Sequence, residues 1–287
     1  MKCCIVAIAK YEGDYIKEWV DYNFNLGFDH IIIGDNNNDH TENLYDILHD
    51  YIIEGKLTLI NLQGTGVNQV IFYENTYKNL LGNFDWALFY DIDEFLVLNT
   101  CKNVHEYLSR KCFDNFDVIK VNWKVMSNNG YAIYIDKPVL ERFTKPGNNY
   151  LIADNIYINN TIKSFYRTSK NLIPHVHCTE KHYDNIRYCD CSGNEIIDKS
   201  NFPNWSQYLE YTNFSEAYIK HFVTKSLEEY IKYKIKRGWS CWSTPERKEY
   251  VLKNCLNLEQ FEKMNGKSKL YEKLFDEFCI KYNINNN

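Results

Sequence analysis

The sequence CCIVAIAKYEGDYIKEWVDYNFNLGFDHIIIGD, residues 3–35, contains two hydrophobic patterns in succession. CCIVAIA (3–9) is a continuous apolar run, which is typical of a strand covered on both faces. Apolar residues then recur at helical spacing over 13–26, and Gly27 stands where helices commonly end. HIIIG (30–34) is a second apolar run. The segment therefore predicts a strand, a helix and a strand, the repeating unit of a parallel sheet.

The same alternation continues to about residue 100. It predicts helices at 41–51 and 69–81 and strands at 57–62 and 86–90. Four such units form a nucleotide-binding half of Rossmann type, in which the ligand binds at the carboxyl ends of the strands.

The rest of the chain has a less regular pattern. Apolar runs predict strands of a mixed sheet at 118–123, 131–135, 138–143 and 162–167. Ser226 and Glu229 fit a capping box that begins a helix ending at Gly238, and the pattern from 246 to 282 is helical. The predicted fold class is α/β: a Rossmann-like half, a mixed central sheet with helices on both faces, and a helical C-terminal segment.

The composition indicates a folded protein of one large or two small domains. The chain has 287 residues, of which 45% are hydrophobic and 16% aromatic, and these fractions exclude a disordered chain. Its apolar runs fall short of the about 18 residues that a membrane-spanning helix needs. The start of the sequence lacks the pattern of a secretory signal, and the ten cysteines have no regular spacing. Reduced thiols and a cytoplasmic location are therefore predicted.

Charge is unevenly distributed along the chain. Residues 1–100 contain five basic and sixteen acidic residues, whereas the net charge of the whole chain is -5. This excess of acid argues against nucleic-acid binding, which depends on attraction to phosphate. Basic and aromatic residues at 230–250 are a candidate peripheral membrane contact, and a solvated helix face is the alternative explanation.

The strongest local motif is DIDEF (91–95), directly after the strand WALFY. Asp91 and Asp93 are one residue apart at the carboxyl end of a strand, so both can turn toward one hard divalent cation. A charged turn without a ligand is the alternative interpretation of an isolated DxD.

Two further polar clusters follow predicted strands. Asp35 and Asn36 end the second strand, where an acidic residue can accept a hydrogen bond from a ribose hydroxyl or a base. An Asx-rich turn explains them equally well. His175 and His177 alternate on a presumed strand, so one of them can face a metal site. Zinc-type ligands also occur together here, but their spacing matches no common zinc motif: His177, Cys178, His182, Cys189 and Cys191.

Several of these motifs together carry a family resemblance. The chain resembles glycosyltransferases of the family-2-like and family-92 groups, which adopt the GT-A fold. The resemblance covers about residues 3–238. The matching stretches are IVAIAKYEGDYIKEWVDYNFNLGFDHIIIGDNNNDHT (5–41), WALFYDIDEFLV (86–97), VNWKVMSNNGY (121–131), VLERFTK (139–145), IKSFYR (162–167), PHVHC (174–178) and IKHFVTKSLEEYIKYKIKRG (219–238).

The resemblance implies transfer of a sugar from a nucleotide diphosphate donor, expected to be a UDP-sugar, to a hydroxyl of a glycan or lipid-linked acceptor. It also implies Mn²⁺ or Mg²⁺, because two carboxylates repel a diphosphate unless a cation lies between them. The expected metal ligands are Asp91, Asp93, His177 and His221. The expected donor-binding residues are Ala9, Lys10, Glu12, Asp35, Asn36, Asp91, Lys163 and Lys225, of which the two later lysines would contact phosphate.

An inverting reaction also needs a general base opposite the leaving group. Glu141 is the first candidate and Asp154 the second, whereas a surface pair of Glu141 with Arg142 or Lys145 would make it structural. The expected organisation is a GT-A domain over 1–240, with a nucleotide-binding half over 1–100, an acceptor half over 101–240, and a helical extension over 241–287. A non-catalytic carbohydrate- or nucleotide-binding protein and a nucleotidyltransferase are the alternatives.

Overall fold

A computed structural model describes residues 1–37, 42–153, 155–197, 207–235 and 257–284. The chain divides into two compact units. Unit 1 consists of Met1–Trp123 and Asn159–Lys220, and unit 2 consists of Lys124–Ile158 and His221–Asn287.

Apolar runs form the central sheet, as the hydrophobic pattern predicts. Its strands are β1 (Cys3–Ala9), β2 (His30–Asp35), β3 (Leu57–Asn61), β4 (Trp86–Phe89), β5 (Glu94–Leu98), β6 (Val118–Val125), β9 (Ile162–Arg167), β10 (Tyr188–Asp190) and β11 (Ala217–His221). A separate hairpin in unit 2 pairs β7 (Leu151–Ala153) with β8 (Ile156–Tyr157). In the described part of the chain, the strand order is β3-β2-β1-β4-β9-β6-β11-β5, and β10 pairs with β6.

The sheet changes direction at β9, and this change positions the site. Strands β1 to β4 pair in parallel, so their carboxyl ends share one edge. Strand β9 is antiparallel to β4, and Ser164 lies opposite Phe89. The amino end of β9 therefore lies at the same edge as the carboxyl end of β4. The predicted Rossmann-like half and mixed sheet are confirmed.

Unit 1 contains the helices α1 (Gly13–Asn25), α2 (Leu44–Ile53), α3 (Gln69–Tyr77) and α4 (Val104–Leu108). Three of them begin at asparagine caps, whereas α1 begins after Glu12. Asn43, Asn68 and Asn103 each accept a hydrogen bond from a backbone N–H in the first turn of α2, α3 and α4, respectively. The helix predicted to start at Thr41 starts instead at Leu44, since Asn43 caps it.

Aromatic and aliphatic side chains fill one large core in unit 1. Tyr73, Phe89 and Tyr166 are almost fully buried in it. Phe89 contacts the other two rings edge-on, at centroid distances of 4.9 Å and 5.4 Å. Edge-to-face contacts of this kind stabilise beyond their buried area. This core joins α3 to β4 and β9, the three elements that carry the site described below.

Two of the predicted strands are wrong, and both lie in unit 2. Residues 131–135 form neither strand nor helix, and Val139–Arg142 is the short helix α5 rather than part of a strand at 138–143. Two physical causes are visible. Pro138 precedes α5 as its N-cap residue. The carbonyl of Ala132 accepts a hydrogen bond from Glu228 N–H at 2.9 Å, so this backbone pairs with a helix terminus instead of a sheet.

The predicted capping box is confirmed. The Ser226 side chain accepts from Glu229 N–H, and the Glu229 carboxylate accepts from Ser226 N–H. The helix continues from α6 (Leu227–Glu229) into π-helical turns over Tyr230–Ile235. Its predicted end at Gly238 lies outside the described residues.

A second core belongs to unit 2. Its helices include α7 (Leu258–Asn265) and α8 (Lys269–Lys281). Leu227, Ile231 and Phe261 are completely buried in this core. No helix in the described ranges is both long and apolar enough to span a membrane. The division into functional halves at residue 100 stays a prediction.

A test of the sheet packing uses Gly34 in β2. A Cβ atom at this position would lie 2.6 Å from Leu62 Cδ1 and 3.0 Å from Phe72 Cζ. Because both neighbours are buried, we expect Gly34→Ala to lower the free energy of unfolding by about 1–3 kcal/mol in urea titrations. The exposed control Asp50→Ala should change it by less than about 0.5 kcal/mol. Equal unfolding midpoints for Gly34→Ala and wild type would contradict this packing.

Candidate donor and metal site

The candidate site lies in unit 1, at the edge where β4 ends and β9 begins. Asp91 follows β4, and Lys163 is the second residue of β9. The Lys163 ammonium donates to Asp91 Oδ2 at 2.8 Å and to the carbonyl of Val176 at 2.9 Å. The same nitrogen lies 3.7 Å from Glu94 Oε2. The sheet register therefore places the Lys163 ammonium directly against the acidic motif.

Burial makes this charge arrangement energetically important. The side chains of Lys163 and Glu94 are 0% exposed, and that of Asp91 is 31% exposed. Burial alone would lower the pKa of Lys163, but Asp91 and Glu94 more than offset it and raise that pKa. Burial raises the pKa of Glu94 well above its usual range, although Lys163 opposes this shift. The Lys163 ammonium thus keeps its charge beside Asp91, and the buried Glu94 is harder to ionise than an exposed glutamate.

A glutamine side chain donates a hydrogen bond to the other carboxylate oxygen of Asp91. Gln69 is the first residue of α3, and its Nε2 donates to Asp91 Oδ1 at 2.8 Å and to the Tyr73 hydroxyl at 2.9 Å. Both Asp91 oxygens therefore accept strong hydrogen bonds. Sequence reasoning missed Gln69, although its position at the start of a helix that follows a parallel strand is a usable signal.

Helix α1 fixes the loop that carries the acidic motif. Trp19 Nε1 donates to the carbonyl of Glu94 at 2.8 Å, and the Tyr22 hydroxyl donates to the carbonyl of Leu96 at 2.6 Å. The Tyr90 hydroxyl also hydrogen-bonds the Asn23 side chain. These buried and partly buried contacts hold the chain on both sides of Asp93 without using its carboxylate.

His177 lies near the Lys163 ammonium, in a segment without regular secondary structure. The expectation that His175 and His177 alternate on a strand is wrong, because residues 175–178 form no strand. His177 Nδ1 is 3.0 Å from the carbonyl of Ile162, and its ring packs edge-on against Trp123 at 5.3 Å. Burial, followed by the charge of Lys163, lowers the pKa of His177 to about 3. A neutral ring that donates from Nδ1 keeps Nε2 as an electron-pair donor.

Asp35 is held by amide groups at the end of β2. Its Oδ1 accepts from Asn37 N at 3.1 Å and from Asn37 Nδ2 at 2.8 Å. Its Oδ2 accepts from Gln63 Nε2 at 2.9 Å. The bond to the N–H two residues ahead is the Asx turn that the sequence suggested as an alternative. Amide donors, rather than a cation, thus orient this buried carboxylate.

The loop after β1 is joined to the segment after β2. Asn36 N donates to the carbonyl of Ala9 at 2.9 Å, and Tyr11 N donates to Asn37 Oδ1 at 2.8 Å. Tyr11 has φ +55°, an uncommon backbone conformation for a bulky residue.

Two charged members of this loop have different exposures. Glu12 is buried, at 5% exposure, whereas Lys10 is partly exposed. The Lys10 ammonium lies 5.9 Å from the centre of the Tyr11 ring. The predicted residues Ala9, Lys10, Glu12, Asp35 and Asn36 therefore lie on two neighbouring strand ends.

The remaining predicted residues belong to unit 2. His221 ends β11 and is buried. Lys225 is buried with φ +52°, directly before the capping box. Glu141 is exposed on α5, whereas its neighbour Arg142 is buried and forms a two-point ion pair with Glu229 at 2.7 Å and 2.9 Å. Asp154 lies outside the described residues.

The donor atoms of unit 1 fit a hard divalent cation. Asp93 is 3% exposed, and Glu94 Oε1 is buried with no hydrogen-bond partner among the described residues. Such an oxygen is costly unless a ligand satisfies it. Carboxylate oxygens are the ligands that Mg²⁺ and Mn²⁺ prefer. Asp93 and Glu94 are thus the best-suited cation ligands of the motif, since Asp91 is already neutralised by Lys163.

The mixed sheet, with an acidic motif at the carboxyl edge of its parallel part, has the architecture of the GT-A class that the sequence resemblance implied. The model of glycosyltransferase family 92 matches residues 2–265. The chain therefore belongs to glycosyltransferase family 92, and the predicted assignment to the glycosyltransferases is confirmed. Among curated proteins, none matches the chain.

Solved structures show distant similarity. S. aureus TarS 1-349 in complex with UDP has 17% sequence identity and a TM-score of 0.38. That alignment covers 59% of this chain and 47% of TarS, so the chain spans about half of that structure. TarS 1-349 with UDP-GlcNAc has 13% identity, a TM-score of 0.43, and coverages of 97% and 72%. The mannosyltransferase PcManGT from Pyrobaculum calidifontis, with GDP-Man and Mn2+, has 11% identity, a TM-score of 0.30, and coverages of 42% and 35%.

One prediction concerns the buried ammonium. Lys163→Met leaves Asp91 and the Val176 carbonyl without their donor, so we expect the free energy of unfolding to fall by about 2–4 kcal/mol. Because Asp91 is partly exposed, this loss of stability is smaller than the loss expected for a fully buried ion pair. The exposed pair of Lys78 with Glu74, also at 2.8 Å, provides the control, and Lys78→Met should cost less than about 1 kcal/mol.

A double-mutant cycle separates the ion pair from packing. Adding Asp91→Asn to Lys163→Met removes the uncompensated carboxylate, so the double variant should recover part of the lost stability. Strictly additive losses in urea unfolding would show that the two side chains do not interact.

Another prediction concerns pH. The pKa of His177 is about 3 in the folded protein against an ordinary value of 6.5, so the unfolded chain binds more protons between these values. Stability contributed by the neutral ring is complete above pH 6.5 and declines as the pH falls toward 3. In metal-free buffer, wild type should lose about 2 kcal/mol more than His177→Asn between pH 7 and pH 5. His49→Asn, at an exposed histidine, should retain the wild-type loss. Parallel profiles for wild type and His177→Asn would contradict the prediction.

Proposed function

We propose that the protein is a metal-dependent, inverting glycosyltransferase that moves a sugar from a UDP-sugar to a hydroxyl of a glycan or lipid-linked acceptor. Family membership supports the class of reaction. The observation that carries the site is the acidic motif with its buried ammonium at the carboxyl edge of the sheet, where Lys163 contacts Asp91 at 2.8 Å. Parallel α/β sheets bind nucleotides at this edge.

Asp93 and Glu94 would hold the cation, whereas Asp91, also predicted as a ligand, would stay paired with Lys163. Mn²⁺ or Mg²⁺ bound there would neutralise the diphosphate and stabilise it as a leaving group. His177 is a further candidate ligand through Nε2, and His221 is a candidate in unit 2. A cation also gives the buried Oε1 of Glu94 a partner, and it favours loss of the Glu94 proton.

Lys163 would have two functions in this scheme. Its ammonium orients Asp91, and it adds positive charge where the diphosphate binds. Lys225 is the second candidate for a phosphate contact. It has a left-handed backbone conformation and directly precedes the N-cap residue of α6. Phosphate oxygens bind favourably to such positive charges.

The neighbouring strand ends would bind the nucleoside. Asp35 would accept a hydrogen bond from the ribose or the base, and its amide partners Asn37 and Gln63 keep its carboxylate in one orientation. Asn36 lies beside Asp35 at the same strand end, and the loop that contains Ala9, Lys10 and Glu12 lies at the end of the adjacent strand β1. A carboxylate that neutral donors orient is suited to a neutral sugar or base.

Glu141 remains our candidate for the general base, with Asp154 as the alternative. The exposed Glu141 carboxylate is accessible to an acceptor hydroxyl, whereas its neighbour Arg142 is committed to Glu229. A general base on the face opposite the leaving group accepts the proton of the attacking hydroxyl. We also propose a cytoplasmic enzyme whose residues 230–250 contact a membrane surface. Most of that segment lies outside the described residues.

The decisive experiment is calorimetric titration of UDP with and without Mn²⁺. Wild type should bind UDP at least about tenfold more tightly with Mn²⁺, and Asp93→Asn should lose most of this gain because one cation ligand becomes neutral. Asp50→Asn, at an exposed aspartate, is the matched control and should behave as wild type. Metal-independent binding of equal strength by all three proteins would refute the proposed site.

Product analysis separates the alternative functions. Incubation with a panel of UDP-sugars should release UDP slowly without acceptor. Release of pyrophosphate from UTP and a sugar 1-phosphate, with no UDP release from the panel, would identify a nucleotidyltransferase. Donor binding with neither hydrolysis nor transfer would identify a non-catalytic binding protein.

A further inference from the structure

A second group of metal-ligating side chains lies in unit 1 at the opposite edge of the sheet. Cys3 is the first residue of β1, Asp29 precedes β2, and His105 belongs to α4. Cys3 Sγ is 4.0 Å from His105 Nδ1, and Asp29 Oδ2 is 3.3 Å from His105 Nε2. One donor atom from each residue lies within 4.8 Å of the other two. Three chemically different donors therefore converge from three elements.

Backbone contacts fix two of these donors. Cys3 N donates to Asp29 Oδ2 at 2.7 Å, and Asp29 N donates to the carbonyl of Cys3 at 2.9 Å. This reciprocal pair holds the carboxylate beside the first residue of β1. The relative positions of Cys3 and Asp29 are therefore fixed by hydrogen bonds of the backbone at the edge of the sheet.

A glycine allows the third donor to approach. Val104 N donates to the carbonyl of Leu26 at 2.9 Å, which attaches α4 to the end of α1. Gly27 has φ +98°, and a Cβ there would lie 3.1 Å from Asn103 Cβ and 3.7 Å from His105 Cδ2. A larger residue at this position would push α4, and with it His105, away from Cys3.

The donor set has the chemistry of a zinc site. Thiolate sulfur, imidazole nitrogen and carboxylate oxygen are the three ligand types that Zn²⁺ takes from proteins. Cys3 is a free, completely buried thiol, whereas Asp29 is exposed and His105 partly exposed. The group thus has a dry sulfur side and an open side on which water can complete four ligands.

Without a cation, the thiol is a poor ligand. Burial, then the charges of Asp29 and Asp85, raises the pKa of Cys3 to about 12. A bound divalent cation reverses this by favouring the thiolate. Binding therefore forms a metal–sulfur bond, breaks the S–H bond and releases one proton to solvent.

We propose that Cys3, Asp29 and His105 bind one Zn²⁺ ion, at a site separate from the donor-binding edge. Cys3 and Ala9 stand at opposite ends of β1, and a seven-residue strand spans about 20 Å. The ion would join the start of β1, the turn before β2 and α4. A simple His–Asp ion pair is the competing interpretation, and it gives the sulfur no role.

Cobalt substitution tests the proposal on the full chain. Co²⁺ added to the metal-free, reduced protein should give a near-ultraviolet thiolate-to-cobalt absorption band, which Zn²⁺ then removes by displacement. The carboxylates of the donor site produce no such band, so failure here is distinguishable from failure of the proposed function. Absence of the band in the folded wild type would overturn the proposal.

Two variants and their controls assign the ligands. Cys3→Ser should abolish the band, and His105→Gln should weaken Zn²⁺ binding by about tenfold or more. Cys4→Ser and His49→Gln change the neighbouring thiol and an exposed histidine, and both should retain wild-type binding. Because Cys3→Ser alters a buried position, circular dichroism confirms its fold, and the partly exposed His105→Gln provides independent evidence. A band that persists in both Cys3→Ser and His105→Gln would refute the site.

Proton release gives a second measurement. Calorimetric titration with Zn²⁺ in buffers of different ionisation enthalpy should show about one proton released per ion in wild type and none in Cys3→Ser. Equal proton release by both proteins would contradict thiol coordination.

Discussion

The buried ammonium of Lys163 is the interaction on which the candidate site depends. Three acidic residues stand within four positions of the chain at the end of β4, and two of them are almost completely buried. Such a group is unstable in a folded protein without a counter-charge. Lys163 provides it through the antiparallel register of β9, whose first residues lie beside the last residues of β4. The stability of the acidic motif therefore depends on the change of strand direction in the sheet.

Much of the central sheet could be predicted from the sequence, whereas two strands predicted in unit 2 could not be relied on. Strands such as 3–9, 118–123 and 162–167 were predictable because continuous apolar runs specify buried strands locally. The predicted strands at 131–135 and 138–143 are wrong because Pro138 and a distant helix terminus determine that backbone. Hydrophobic pattern contains no information about such partners.

The candidate site shows the same limit. Asp91 and Lys163 could each be selected from the sequence, since carboxylates after a strand and a lysine within an apolar strand are both unusual. Their direct contact could not, because it depends on pairing between residues that are 72 positions apart. Gln69 was missed for a similar reason, since nothing in an isolated glutamine indicates that it approaches Asp91.

The pairing of Asp91 with Lys163 has a consequence for cation binding. A DxD motif suggests two equivalent carboxylates, but Asp91 already accepts from an ammonium and an amide, whereas Glu94 Oε1 has no hydrogen-bond partner among the described residues. A divalent cation that replaced Lys163 at Asp91 would leave a buried ammonium without its partner, which is costly. The lower-energy arrangement keeps the ion pair and places the cation on Asp93 and the Glu94 side. The motif then has two functions: its first aspartate orients a lysine, and its second half is available for the metal.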